Sequence, residues 1–183
     1  MPHKLMCVGR GRLEWQAYED APLAPNQVRV CAEYGAAKHG TEMAFYKGYA
    51  VARGRYNSAL QLFEPVADPA ALYPFAVGNM IVGTVEAAGP SVSRLAVGDR
   101  VCPIFSQRWI SGEPDLERLT QTLGGPVDGT MTEFMCLSEQ GVSKVPAHLS
   151  DLEAATLPCA ALTAWSALVT VLPTRPGDRV LVQ

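Results

Sequence analysis

The chain has 183 residues, of which 48% are hydrophobic and 18% charged, a composition that suits one substantial buried core. A net charge of −3 and the lack of any run of Lys and Arg argue against a nucleic-acid partner. The opening "MPHKLMCVGRGRLEW" is broken by charges and glycines, so it predicts neither a signal peptide nor a membrane span.

The first two-thirds read as β. "KLMCVG" and "RLEWQAYE" flank Gly9-Arg10-Gly11 and predict a hairpin. In "QVRVCAEY", Val28, Val30, Ala32 and Tyr34 alternate and predict one buried face. "MIVGTVEAAG" carries Gly83 inside a strand pattern, the mark of a bulge or a close backbone approach. "GDRVCPIF", "GTMTEFMCLSE" and "GVSKVP" follow as further short strands bounded by turn residues, a spacing expected of a barrel or sandwich.

At Ser150 the period changes. "SDLE" reads as a capping box with Ser150 as N-cap and Glu153 at N3, and Pro158 falls in the first turn of a second helix. There Leu162, Trp165, Val169 and Leu172 recur at helical spacing and predict a buried stripe. The end, "RPGDRVLVQ", is a turn into Val180-Leu181-Val182, an apolar run typical of a parallel strand buried on both faces. "GDRV" occurs at 98–101 and again at 177–180, two uses of one turn-into-strand solution.

Cys7, Cys31, Cys102, Cys136 and Cys159 are an odd, widely spaced set without a C-x-x-C pair, which suits reduced thiols and a cytoplasmic setting. The stretch between Gly48 and Gly78 is long for a connection, and Arg53, Arg55 and Tyr56 within it could reach an anionic or aromatic substrate or form an exposed charged face. Trp109 is open between a cleft mouth and an ordinary surface position, and His3 and His148 carry no signal.

Two stretches carry a resemblance. "LGGPVDGTMTEFMCLSEQGVSKVPAHLSDLEAATLPCAALTAWSAL" followed by "RPGDRVLVQ" resembles the zinc-independent alcohol dehydrogenase and quinone-reductase-like branch of the medium-chain dehydrogenase/reductase superfamily. "VGTVEAAGPSVSRLAVGDRV" is similar to a strand pair found throughout that superfamily. The resemblance implies a mainly β fold with α: a GroES-like β-barrel over 1–172, a helical segment at its end, and in 173–183 the first strand of a Rossmann domain whose glycine-rich turn does not follow. It implies NAD or NADP as cofactor, held mainly by that further domain, a small-molecule substrate, and a possible homo-oligomer. The chain alone is then expected to be inactive, and an alternative of another class is a stand-alone GroES-like binding or assembly module.

Zinc-dependent members carry a Cys-Gly-Thr-Asp-like motif, a Gly-His-Glu motif and a Cys opening the helix after the barrel. The first reads Lys38-His39-Gly40-Thr41-Glu42 here, with His39 in the Cys position. The second reads Gly78-Asn79-Met80, so Asn79 and Met80 replace the His and Glu, while Cys159 keeps the third position. A neutral amide is a poor zinc ligand, and a catalytic zinc wants strong donors plus an open position, so no metal is expected. The alternative is a zinc enzyme with an altered ligand set. Between Asp99 and Gly129, where a structural zinc lobe would carry four cysteines, only Cys102 occurs.

By the same resemblance Thr41 stands where a hydroxyl bonds the reacting oxygen, and His39 and Asn79 join it as candidates to polarise a carbonyl without metal. Thr41 equally suits a loop residue capping the backbone. Thr163, one helical turn after Cys159, takes a place that touches the nicotinamide, and Cys159 lies beside it; a Thr packed in a buried helix and a small buried Cys are the plainer readings.

Overall fold

The computed structural model describes residues 1–48, 56–57, 59–60, 62–63 and 73–182. Strand β1 (His3–Gly9) pairs antiparallel with β2 (Arg12–Ala17) through the expected turn, Gly9 opposite Arg12. Strand β3 (Gln27–Gly35) leads to helix α1 (His39–Tyr46), and a short pair β4 (Tyr56–Asn57) and β5 (Leu62–Phe63) follows. Then come β6 (Phe75–Ala76), β7 (Ile81–Ala88), β8 (Arg100–Pro103), the single-turn helix α2 (Leu116–Leu119), β9 (Phe134–Ser138) and β10 (Val142–Lys144). Helices α3 (Asp151–Ala154) and α4 (Leu157–Trp165) close the order, α4 running on as a π-helical turn over Ser166–Val171. The fold is mainly β with few helices and one C-terminal helical segment, as the sequence implied.

Two sheets carry the fold. One has the order β10-β8-β7-β3-β9, the other β2-β1-β6. The segment before β9 stitches them together, Leu5 N–H donating to Met131 O at 2.8 Å and Glu133 N–H to His3 O at 3.0 Å. The core lies on one face of the larger sheet, where Val28, Val30, Val85, Leu95, Val101, Leu137 and Val142 are buried together. A smaller cluster of Val82, Ala154 and Ala155 seats α3 on that sheet. Arg100 holds α3 in place, its Nε donating to Asp151 Oδ1 at 2.7 Å and an Nη to Leu149 O at 2.9 Å.

Alternation in β3 holds for Val28 and Val30 and then fades: Ala32 is half-buried and Tyr34 exposed. The ladder to β7 shifts between Ala32 and Tyr34, and this bulge ends the strict period of two on which the expected face rested. Gly83 is a close approach: a Cβ there would lie 2.3 Å from Cys31 O on the neighbouring strand. The capping box at Ser150 is present, with Ser150 N–H donating to Glu153 Oε2 at 2.9 Å, and Pro158 sits in the first turn of α4.

The stripe predicted on α4 is corrected. Leu162, Trp165, Val169 and Leu172 are 56%, 62%, 45% and 71% exposed, because nothing among the described residues packs on that face. The helical period is there; the burial it normally reports is not. Leu157, Leu162 and Trp165 instead border an open apolar groove with Pro103, Val145 and Leu149. At the end of the chain, Val180–Val182 joins no ladder among the described residues and stands exposed. Arg53 and Arg55 lie outside the described residues, as does the side chain of Tyr56. Replacing Gly83 by Ala should lower the unfolding free energy by about 2 kcal/mol, since backbone rather than a flexible side chain must give way; urea denaturation of the variant beside the parent measures it.

Candidate active site

Two loops packed backbone to backbone make the floor of a cleft. Val77-Gly78-Asn79 runs against Gly129-Thr130-Met131, with Thr130 N–H donating to Gly78 O at 2.9 Å and Met131 N–H to Val77 O at 3.0 Å. A Cβ on Gly129 would stand 2.1 Å from Val77 O, and one on Gly78 2.7 Å from Met131 N. Glycine alone permits this contact, and Gly78 also adopts φ +98°.

The cleft has a volume of about 390 Å³. Thr41, Glu42 and Phe45 reach it from α1, Asn79 from the floor, Phe75 and Phe105 from the walls, and Leu123 to Pro126 from the rim. Phe45 and Phe75 meet edge to face, ring centroids 5.4 Å apart. Asn79 is only 4% exposed, and its Oδ1 is buried with no hydrogen-bond partner. An orphaned buried acceptor is costly, and such groups concentrate where a ligand supplies the missing donor.

Thr41 and Asn79 are therefore brought together, while the other expected residues are not in the lining. His39 opens α1 and is exposed. Cys159 is buried at the start of α4, and the Nζ of Lys38 donates to its Sγ at 3.0 Å. That ammonium also lies 5.7 Å from the Phe105 ring centroid, so the Cys159 corner adjoins the cleft wall. Thr163 is exposed, its hydroxyl donating to Cys159 O at 2.6 Å. Trp109 is turned into its own loop, donating to Gly112 O at 3.0 Å.

The sequence does not single out Glu42 as a candidate, yet it is the one carboxylate among the described lining residues. It accepts from the backbone N–H groups of Lys38 and Gly78, joining α1 to the cleft floor. Burial pushes its carboxyl above the usual value, only partly offset by those backbone bonds and by the nearby Lys38 charge. An acid in the first turn of a helix reads from sequence as a dipole partner, so the signal available was its place beside Thr41 in the motif.

The chain matches the alcohol dehydrogenase GroES-like domain over residues 24–147. It belongs to that family. Among curated proteins this GroES-like domain is 32% identical over 139 residues to a zinc-type alcohol dehydrogenase-like protein of Schizosaccharomyces pombe, covering 75% of this chain and 37% of that protein. It is 36% identical over 116 residues to an alcohol dehydrogenase of Geobacillus stearothermophilus, covering 60% of this chain and 34% of that one. The crystal structure of an NAD-dependent alcohol dehydrogenase superposes with a TM-score of 0.70 at 28% identity, over 96% of this chain and 49% of the other. The chain thus spans about a third of the curated relatives and about half of the solved one.

A catalytic zinc needs three strong protein donors and an open position. At the motif positions stand an exposed imidazole, a buried neutral amide and a thiol already facing an ammonium. Among the described residues, no three His, Cys, Asp or Glu side chains gather as a metal site. The described side chains do not fit a catalytic zinc. Likewise, no described strand runs through a glycine-rich turn into a helix, so the element that would hold a dinucleotide pyrophosphate is not among them.

A group whose folded pKa is raised stabilises the fold below its unfolded pKa and loses that contribution as pH rises. Glu42, raised from 4.5, should therefore make the protein lose stability as pH climbs above about 4.5. Glu42→Gln should flatten that part of the curve, read as a smaller difference in urea midpoint between acidic and neutral buffer than the parent shows.

Proposed function

We propose that this chain is the substrate-binding part of an NAD(P)-dependent oxidoreductase of the medium-chain dehydrogenase/reductase superfamily, working on a carbonyl, alcohol or conjugated acceptor without a catalytic zinc. The observation that carries the reading is the cleft in which Thr41 and Asn79 converge, within a domain of the alcohol dehydrogenase family. The NAD-dependent and alcohol dehydrogenase relatives support nicotinamide chemistry. The zinc-free part rests on the donor set, in which a buried Asn79 replaces a metal ligand and the retained Cys159 is engaged by Lys38.

NAD or NADP, when bound, supplies or accepts the hydride. The work of this chain is to orient the acceptor and to meet the charge on its oxygen. The Thr41 hydroxyl and the Asn79 amide are the donors in reach of a ligand seated in the cleft, and the phenylalanine walls hold its carbon body away from water. His39, exposed beside Thr41, exchanges the proton with solvent. The exposed helix face bearing Thr163 is the side offered to the nicotinamide.

In the full-length protein, Thr41→Val should lower kcat about 100-fold with the KM for the dinucleotide unchanged, followed by nicotinamide absorbance. Elemental analysis of dialysed protein should find zinc well below one atom per chain. An unchanged kcat removes Thr41 from the reaction, and stoichiometric zinc that survives dialysis overturns the metal-free reading.

A further inference from the structure

Helix α1 carries Thr41 in its first turn, and its two ends are held by different means. At the C-terminal end, Gly11 N–H donates to Tyr46 O and the Tyr73 hydroxyl to Phe45 O, each at 2.8 Å, while Phe45 lies edge to face on Phe75. At the N-terminal end His39, Gly40 and Thr41 are exposed, and Lys38, the N-cap residue, makes no side-chain cap. Its ammonium goes to Cys159 on α4. Among the described contacts, this end is tied to the cleft floor through Glu42, whose carboxylate accepts from the N–H groups of Lys38 and Gly78. The first of these bonds is local, an acid reaching back to the start of its own helix. The second joins two distant stretches of chain. Gly78 uses both its peptide groups at this seam, its O accepting from Thr130 N–H at 2.9 Å while its N–H meets Glu42. One carboxylate thus sets the turn that bears Thr41 against the floor.

We propose that Glu42 is a positioning residue: by binding the N–H groups of Lys38 and Gly78 together, it fixes Thr41 over the cleft floor for the reaction, and the fold is less stable for it. The catalytic part of the inference rests on the reading of this cleft as the oxidoreductase substrate site; the latch itself does not. Glu42 is half-buried, and burial outweighs the two backbone bonds and the Lys38 charge, so its ionised form is the disfavoured one. A neutral side chain of the same shape would relieve that burden. An acid that serves the fold alone is expected to add to its stability; one that detracts from it while bridging two loops of a cleft has the character of a functional group. Two features of the side chain matter. A carboxylate accepts two N–H donors at once, where an amide of equal length turns an N–H of its own toward one of them. The length of Glu lets one group reach both donors, which a side chain shorter by one methylene does not.

Glu42→Gln and Glu42→Asp in the full-length protein test this with three readouts: urea midpoint in neutral buffer, amide hydrogen exchange, and reduction of benzaldehyde, cyclohexanone or cyclohexenone by NADH or NADPH. In Glu42→Gln the midpoint should equal or exceed the parent's, while the amides of α1 exchange about tenfold faster and those of β3 and β7 are unchanged. On whichever probe the parent turns over, kcat should fall about tenfold with the KM for the dinucleotide unchanged. Glu42→Asp, which keeps the charge and loses the reach, should lose kcat to a similar extent. A Glu42→Gln variant that is less stable than the parent, or does not fold, makes the carboxylate a plain structural group and overturns the proposal. Unchanged α1 exchange in that variant removes the latch, and a Glu42→Asp variant with the parent's kcat shows that charge suffices without the bridge; either overturns it too and leaves the oxidoreductase reading standing. A parent that reduces none of the probes counts against the oxidoreductase reading and takes the catalytic role of Glu42 with it, while exchange still decides the latch.

Discussion

The contact on which the site depends is between two stretches of bare backbone. Val77 and Gly78 lie so close to Gly129 and Met131 that a single methyl group on either glycine would collide with main-chain atoms. Hydrogen bonds of 2.9 and 3.0 Å across that seam satisfy groups that would otherwise be buried without partners. Three consequences follow from one constraint. Asn79 is carried into the interior, the segment after Gly129 is set where it can join both sheets, and the N–H of Gly78 is aimed at Glu42. Helix α1, none of whose residues is fully buried, is thereby held by its Glu42 carboxylate together with the edge-to-face contact of Phe45 on Phe75.

That last point separates the two ends of the molecule. Around Val28, Val85 and Val101 stability comes from area removed from water, and the strands there alternate as burial demands. At α4 the same kind of apolar residue is laid out with helical period and left in solvent. The helix still forms because local devices hold it: the capping box at Ser150 one element earlier, a proline in its own first turn, and its continuation through the π-helical turn. Hydrophobic period reports the conformation a segment takes and the face it could bury. It does not report whether a partner is present.

What could be read from the sequence divides along the same line. The hairpin at Gly9–Gly11, the close approach at Gly83, the cap at Ser150 and the position of Pro158 were legible because each is a local rule, settled by residues a few places apart. The bulge after Ala32 was not, since it depends on how β7 is registered against β3. In the site, Thr41 and Asn79 were visible through the motif that holds them. Glu42 and Lys38 were passed over because a charged residue at a helix start is ordinarily a solvated one. Only the fold reveals that one faces a cleft and the other a buried thiol.

The placing of those two charges bears on what the cleft can accept. Lys38 and Glu42 lie one turn apart at the start of α1, yet the Lys38 side chain meets Cys159 while Glu42 lines the cleft. The ammonium is engaged with Cys159 and lies 5.7 Å from the Phe105 ring centroid, and its charge is felt at Glu42 in the cleft lining. The carboxylate stands in the lining itself. A dication at the motif positions would make this corner strongly electropositive and favour an anionic oxygen by charge alone. On the metal-free reading proposed above, an amide stands in place of one ligand and an ammonium is bound to another. On that reading, polarisation of a ligand comes from directed hydrogen bonds, which demand position where a metal ion demands only proximity. A floor built from two interlocked glycine loops is suited to that demand, because it leaves Asn79 little freedom to move.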